Sequence, residues 1–158
     1  MRKSETNTHA GDSIRQAYAE DIPAILALEK EAPHITHWSE HSYRAVFSQG
    51  APDRAFLVYE HQHELRGFLV ARFGPAECEL ENIVVAEEHR RRGIGSRLLA
   101  ELVSAARSRR VEKILLEARQ SNASARHLYS KFGFVEYGRR KSYYANPAED
   151  AILYALNF

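Results

Sequence analysis

The chain has 158 residues, 22 of them basic and 21 acidic, for a formal charge of +1, and 44% are hydrophobic. That size and composition fit one compact domain with a sizeable core, and the near-neutral balance lacks the global basic footprint of a nucleic-acid binder. No apolar stretch approaches the roughly 20 residues that cross a bilayer, so a membrane span is excluded, and the single cysteine, Cys78, forbids an internal disulfide and favours a reducing cytoplasm.

Met1 to Asp12 is polar and lacks the apolar core of a signal peptide, so it is predicted as a disordered tail ahead of one domain over 13–158. Ser13 to Tyr18 reads as a short strand. Glu20, Asp21 and Pro23 announce a helix whose Ile22, Ile25, Leu26 and Leu28 form an apolar stripe. Ser39 can N-cap a second helix that carries Tyr43, Val46 and Phe47 and ends near Gly50. Ala55 to Tyr59 and Leu65 to Phe73 read as a β-hairpin around His61-Gln62-His63-Glu64, closed by Gly74-Pro75.

From Glu77 the pattern alternates, with Glu77, Glu79 and Glu81 on one face and Cys78 and Leu80 on the other, until Ile83, Val84 and Val85 break the phase. A bulge near Asn82 explains the break, and a bulge splays a strand from its neighbour and leaves room for an extended ligand. Ile94, Leu98, Leu99, Leu102, Val103 and Ala106 then recur at helical spacing. Glu112 to Ala118 is the next strand, Ser121-Asn122 caps a helix stopped by Gly133, and Phe134 to Tyr144 and Ala151 to Leu156 are two final strands. The order strand, two helices, three strands, helix, strand, helix, two strands is an α/β domain with a mixed sheet.

Between the phase-broken strand and its helix lies Arg90-Arg91-Arg92-Gly93-Ile94-Gly95. The first amides of a helix have no intrahelical partner and donate to anions, and arginines there add to the positive end of the dipole. Glycines at Gly93 and Gly95 let phosphate oxygens approach the main chain, so a pyrophosphate is a fitting guest. A P-loop needs Gly-Lys-Ser/Thr, and no lysine lies between Arg66 and Lys113; a dinucleotide fingerprint needs glycine where Leu98 stands. A tight turn beside a solvated charge cluster is the bland alternative.

Arg90, Gly93 and Gly95 fill the Gln/Arg-x-x-Gly-x-Gly/Ala signature, and here the chain resembles the GCN5-related N-acetyltransferase (GNAT) superfamily. The resemblance implies an α/β fold with a mixed, mostly antiparallel sheet of about seven strands and about four helices, its parallel fourth and fifth strands splayed. It implies acetyl-CoA as cosubstrate, with the backbone of Ile83, Val84 and Val85 along the pantetheine arm, Arg91 to Ser96 around the pyrophosphate, and Asn122 touching coenzyme A besides capping its helix. A closer resemblance, to RimI-type ribosomal-protein-alanine N-acetyltransferases, runs through Trp38-Ser39-Glu40, Asn82-Ile83-Val84-Val85, Leu116-Glu117-Ala118-Arg119, Ser121-Asn122-Ala123, Leu128-Tyr129, Gly133-Phe134, Arg139-Arg140, Tyr143-Tyr144 and Glu149-Asp150-Ala151-Ile152. It departs at His37, where that branch has proline, and at Gln120, where alanine is common. It implies a protein N-terminus as partner, with neither nucleic acid nor membrane contacted directly.

An α-amino group with a pKa of about 8 is mostly protonated at neutral pH, so its acetylation needs a base. Glu117, in the apolar strand Ile114-Leu115-Leu116, is the candidate, and the matching glutamate of RimI-like enzymes has that role; the alternative is a solvent-facing strand carboxylate. Tyr129, twelve residues on and able to reach the same cleft, is the candidate acid for the leaving thiolate, or a core tyrosine beside Leu128 and Phe132. A main-chain amide within Ile83 to Val85 would stabilise the oxyanion. Trp38, Glu40, Tyr143 and Tyr144 are candidate walls for the acceptor.

His34, His37 and His41, and the pair His61 and His63, lack the cysteines or partnered carboxylates of a metal site, so no metal is expected. Cys78, in phase with Leu80, reads as a buried structural thiol, and Arg107, Arg109 and Arg110 as complements to a helix dipole. Three functions stay open: acetylation of a protein N-terminus, acetylation of a small-molecule or lysine amine, and a catalytically silent acyl-CoA-binding module.

Overall fold

The computed structural model describes residues 11–33, 35 and 37–158. Seven strands form one sheet: β1 (Asp12–Gln16), β2 (Arg54–His61), β3 (Glu64–Phe73), β4 (Glu77–Val85), β5 (Lys113–Arg119), β6 (Val135–Tyr144) and β7 (Glu149–Asn157). Their spatial order is β1-β2-β3-β4-β5-β7-β6, and the pairing is antiparallel except between β4 and β5. Four helices, α1 (Ile22–Glu31), α2 (Glu40–Val46), α3 (Ile94–Ser108) and α4 (Ala123–Lys131), complete the predicted order.

Two apolar clusters sandwich the sheet. On one face α3 and α4 press Leu98, Leu99, Leu102 and Tyr129 onto Leu69, Cys78, Leu80, Ile114 and Leu116. On the other, Ile22, Ile25 and Tyr43 of α1 and α2 meet Phe56, Val58, Phe68, Val70 and Val84. The opposite fates of Leu80 and Val84 follow from the pairing of β4. Val70 faces Asn82 while Ala71 faces Leu80, so Glu81 is an extra residue in the ladder. The predicted bulge therefore falls on Glu81, one residue before the expected Asn82, and it shifts the side-chain alternation from one face to the other.

Several expected boundaries move. β1 starts at Asp12, inside the predicted tail; its carboxylate is 6% exposed and lies 2.5 Å from His61 Nδ1. The remaining tail residues, 1–10, lie outside the described ones. The β2–β3 connection is only Gln62-His63, because both adopt left-handed φ values of 51° and 65° and close a two-residue hairpin. Phe47 caps α2 and is 37% exposed, so it does not share the buried face of Tyr43, although its ring stacks on Phe56 at 5.6 Å. No described helix is long and apolar enough to cross a membrane.

Candidate active site

The chain enters α3 through Arg91 at φ 61° and Gly93 at φ 78°, the N-cap, which has no side-chain cap. The first helical bond runs from Arg97 N–H to Gly93 C=O at 3.0 Å. Among the described residues the amides of Ile94, Gly95 and Ser96 have no acceptor, so this end of a 15-residue helix presents donors, with Arg90, Arg91 and Arg92 exposed beside them. The two glycines serve different needs. At Gly93 a Cβ would meet nothing within 4 Å, so its left-handed backbone is what favours glycine. At Gly95 a Cβ would stand 3.3 Å from Leu128 Cδ2, so close packing on α4 adds to the need for ligand access. Ile94 turns its side chain into the core and offers only its amide.

β4 and β5 pair only at Glu77↔Lys113, Cys78↔Ile114 and Glu79↔Leu115. Beyond the bulge the two strands part, and the β5-facing edge of β4 loses its ladder. Ala86 N–H donates to Arg66 C=O across β3, so by strand alternation Val84 also turns its main chain to β3, whereas Ile83 and Val85 turn theirs into the gap. Within the predicted set Ile83 to Val85, then, two residues have the required backbone direction and Val84 does not. Arg90 reinforces this edge by donating Nε–H to Val85 C=O at 3.3 Å.

Glu117 and Tyr129, expected to reach one cleft, start from opposite faces of the sheet. Ile114, Leu116 and Ala118 of β5 point to the α3–α4 cluster that holds Tyr129, so Glu117 between them points to the opposite face. Glu117 lies on β5 two residues beyond Leu115, the last residue paired with β4, and so borders the gap. Glu117 is 29% exposed and pairs with Arg140, whose Nε lies 3.1 Å from Oε1. Tyr129 is 4% exposed, packed on Phe134 and Tyr154 at centroid distances of 5.8 and 5.9 Å. Burial first, then the neighbouring Tyr144 and Tyr154, push its phenol well above the ordinary range and keep it protonated. Tyr144 is also pushed up, by burial and then by Glu117, so it stands electrostatically between the two candidates. Asn122 does cap α4, accepting Ala125 N–H at 3.3 Å.

On Glu117's face a cavity of about 680 Å³ is lined by Glu117, Arg140, Tyr137, Arg72, Glu79 and Pro52, among others. A second, of about 560 Å³, shares Pro52 and is lined by Trp38, Ser42, Arg54 and Glu81. Trp38 thus lines this second cavity and not the one with Glu117, its ring 5.1 Å from Tyr43 and 5.9 Å from the Arg54 guanidinium. Glu40 lines neither cavity: it sits in the first turn of α2 and pairs with Arg44 at 2.7 Å, the i,i+4 geometry of an exposed helix pair. Tyr143 and Tyr144 line neither cavity but pack edge-to-face at 5.1 Å beside Arg140, whose guanidinium is 5.3 Å from the Tyr143 ring.

Two sets of residues were missed from the sequence. Tyr137 and Arg140 face the cavity because β6 is irregular between Glu136 and Gly138 and again after Arg140, which no periodicity reveals. Glu29, 2% exposed, accepts the backbone N–H of Trp38 and lies beside the buried phenol of Tyr43, which in turn accepts from Asn82 Nδ2 at 3.3 Å. This chain of contacts ties α1 and the loop before α2 to the bulged strand. Its signal was present, since Glu29 falls on the helical stripe of Ile22 and Ile25, where a charge needs a partner.

The residues set aside are occupied elsewhere. His61 faces Asp12, and His34 lies outside the described residues. Among the described residues no group of three or more His, Cys, Asp or Glu gathers. Cys78 is fully buried, its thiol pushed up to about 12 by burial, which suits a packing residue rather than a nucleophile. Arg107 and Arg109 stack on Phe158 and Phe73 at 4.8 and 4.0 Å.

A parallel pair that splits beside an uncapped, arginine-flanked helix start matches what comparison with known proteins finds. The model of the acetyltransferase (GNAT) family matches residues 15–134, and the chain belongs to that family, whose members are acyltransferases. The chain is 33% identical over 147 residues to the [ribosomal protein bS18]-alanine N-acetyltransferase of Escherichia coli K12, covering 92% of this chain and 97% of that one. The crystal structure of the Escherichia coli ribosomal-protein-S18-alanine N-acetyltransferase superposes with a TM-score of 0.83 at 30% identity, covering 92% and 93% of the two chains. Ard1 from Thermoplasma volcanium, at 23% identity and a TM-score of 0.82 over 94% and 98% of the two chains, shares the fold.

Proposed function

We propose that the chain transfers an acetyl group from acetyl-CoA to the N-terminal α-amine of a protein, the N-terminal alanine of a small-subunit ribosomal protein, by direct attack in a ternary complex. The observation that carries this reading is that Glu117 opens onto the large cavity beside the β4–β5 seam while the uncapped start of α3 lies at the end where the strands part. The identity to enzymes named for the bS18 alanine supports the choice of acceptor.

The residues present fit acetyl-CoA. Free amides at Ile94 to Ser96, open space over Gly93 and the charges of Arg90, Arg91 and Arg92 suit its pyrophosphate, and the edge at Ile83 and Val85, off the β5 ladder, suits an extended arm. Asn122 at the start of α4 and Tyr129 within it lie on the same face of the sheet as α3. When bound, the cosubstrate supplies an activated acetyl thioester. Glu117 takes the proton of the acceptor ammonium, directly or through water, leaving a lone pair on nitrogen. As the carbon–nitrogen bond forms, charge gathering on the carbonyl oxygen is met by a main-chain amide of the Ile83–Val85 edge. The carbon–sulfur bond breaks, the leaving thiolate is hydrogen-bonded by the Tyr129 phenol that burial keeps protonated, and the second proton shed by the new amide nitrogen passes through that hydroxyl to the sulfur, so that Tyr129 ends as it began.

Incubation with acetyl-CoA and a library of N-terminal peptides, lysine peptides and polyamines tests the acceptor: the alanine-initiated ribosomal peptide is acetylated fastest, and acetylation confined to lysine or polyamines overturns the reading. Glu117→Gln is expected to lose about 10² to 10⁴ in rate while coenzyme A binding is retained. A wild-type chain that binds coenzyme A and acetylates nothing is a silent binding module.

A further inference from the structure

Arg140 reaches Glu117 by an uncommon route. On the ladder Glu117 faces Leu153 of β7, which faces Gly138 of β6, while Arg140 faces Ala151, which faces Arg119. Arg140 and Glu117 are therefore two strands and one step apart, and the arginine crosses β7 over the small, fully buried Ala151 to place Nε 3.1 Å from Oε1. The nearer candidate, Arg119, is turned away, stacked 4.2 Å from Tyr144 and paired with Glu149 at 3.4 Å. Among the described residues Glu117 is the one carboxylate paired with Arg140, which lines the cavity beside it and is 55% exposed, so guanidinium donors are left for a ligand.

An exposed ion pair by itself contributes little to stability, yet this one juxtaposes an acceptor for a cationic amine and a fork of donors about 3 Å apart. In an N-terminal residue the bonded path N–Cα–C=O sets the amine nitrogen and first carbonyl oxygen about 3 Å apart as well. We propose that Arg140 is a specificity-determining residue: its guanidinium hydrogen-bonds the first peptide carbonyl of the acceptor while Glu117 receives the adjacent amine. A lysine ε-amine or a polyamine has no carbonyl at that distance. It meets the same carboxylate without the second hydrogen bond, so the guanidinium donors that a peptide carbonyl would fill gain nothing from it. Discrimination thus arises from a pair, not from a pocket shape.

The inference rests on the reading of Glu117 as the base for an α-amine. The test compares two acceptors, an alanine-initiated peptide and the same peptide with its first peptide bond replaced by CH₂–CH₂, in wild type, Arg140→Met and Arg140→Lys. Wild type prefers the peptide. Arg140→Met lowers kcat/KM for the peptide roughly tenfold to hundredfold, mainly through KM, and leaves the isostere unchanged. Arg140→Lys, with the charge but without the fork, recovers part of the loss. Equal losses on both acceptors in both variants, or no loss on either, overturn the proposal. If wild type acetylates peptide and isostere equally, this inference alone falls; if it acetylates no peptide, the function proposed above falls first.

Discussion

Gly93 and Gly95 stand two positions apart in one motif and differ in what an alanine would meet. Gly93→Ala faces no atom, only a φ of 78°, so the expected cost is the left-handed strain of about 1–2 kcal/mol, read by urea unfolding. Gly95→Ala meets a flexible leucine methyl at 3.3 Å and gains helix propensity of up to about 1 kcal/mol, so it is expected to be close to neutral. A larger loss at Gly95 than at Gly93 would contradict this division. Both glycines were legible in the sequence, but the sign of φ was not, because a pattern of residue types does not distinguish a turn from a tight contact. For Tyr129 the ring and the hydroxyl separate the same way. Tyr129→Phe keeps the packing against Phe134 and Tyr154, so unfolding should barely move while kcat falls about 10² or more.

Among the elements, β4 carries the most information. Its phase break was readable because Ile83 and Val85 needed the face that Cys78 and Leu80 already occupied, and that conflict located the irregularity to within one residue. Deleting Glu81 should leave every buried side chain of β4 in phase, since Leu80 and Asn82 would then alternate correctly. The variant is expected to fold, with a circular dichroism spectrum like the parent's, and to lose coenzyme A affinity because the strand no longer splays; full retention of affinity would show that the bulge does not open the gap. The network of Glu29, Tyr43 and Asn82 has a different origin. It is held together by partners 39 residues apart, so local reading shows a misplaced charge and not its answer. Removing the phenol in Tyr43→Phe should cost about 1–3 kcal/mol in chemical denaturation, as the buried Asn82 amide loses its acceptor.

For the molecule as a whole, element order and sheet class were legible because each strand and helix declared itself by period and cap, while the faces of Glu117 and Tyr129 depended on pairings made across the fold. The interior also sets a chemical limit. Cys78 is raised from 9.0 to about 12, and Tyr43 and Tyr129 are raised from 10.0, in each case by burial first. Above the unfolded values the open chain sheds protons that the folded chain keeps, so stability is complete below about pH 9 and falls as pH rises. The urea midpoint should decline steadily from about pH 9 upward, and a flat profile would contradict the burial of these groups. The three-residue seam between β4 and β5 has a further consequence. A sheet so joined is two half-sheets with a missing strand, and a cosubstrate arm lying in the gap would supply that strand. Binding then adds RT ln(1 + [L]/Kd) to stability. The lifetime of such a chain in a cell would track the supply of its acetyl donor, rising when the donor is abundant and shortening in starvation, with no dedicated regulator.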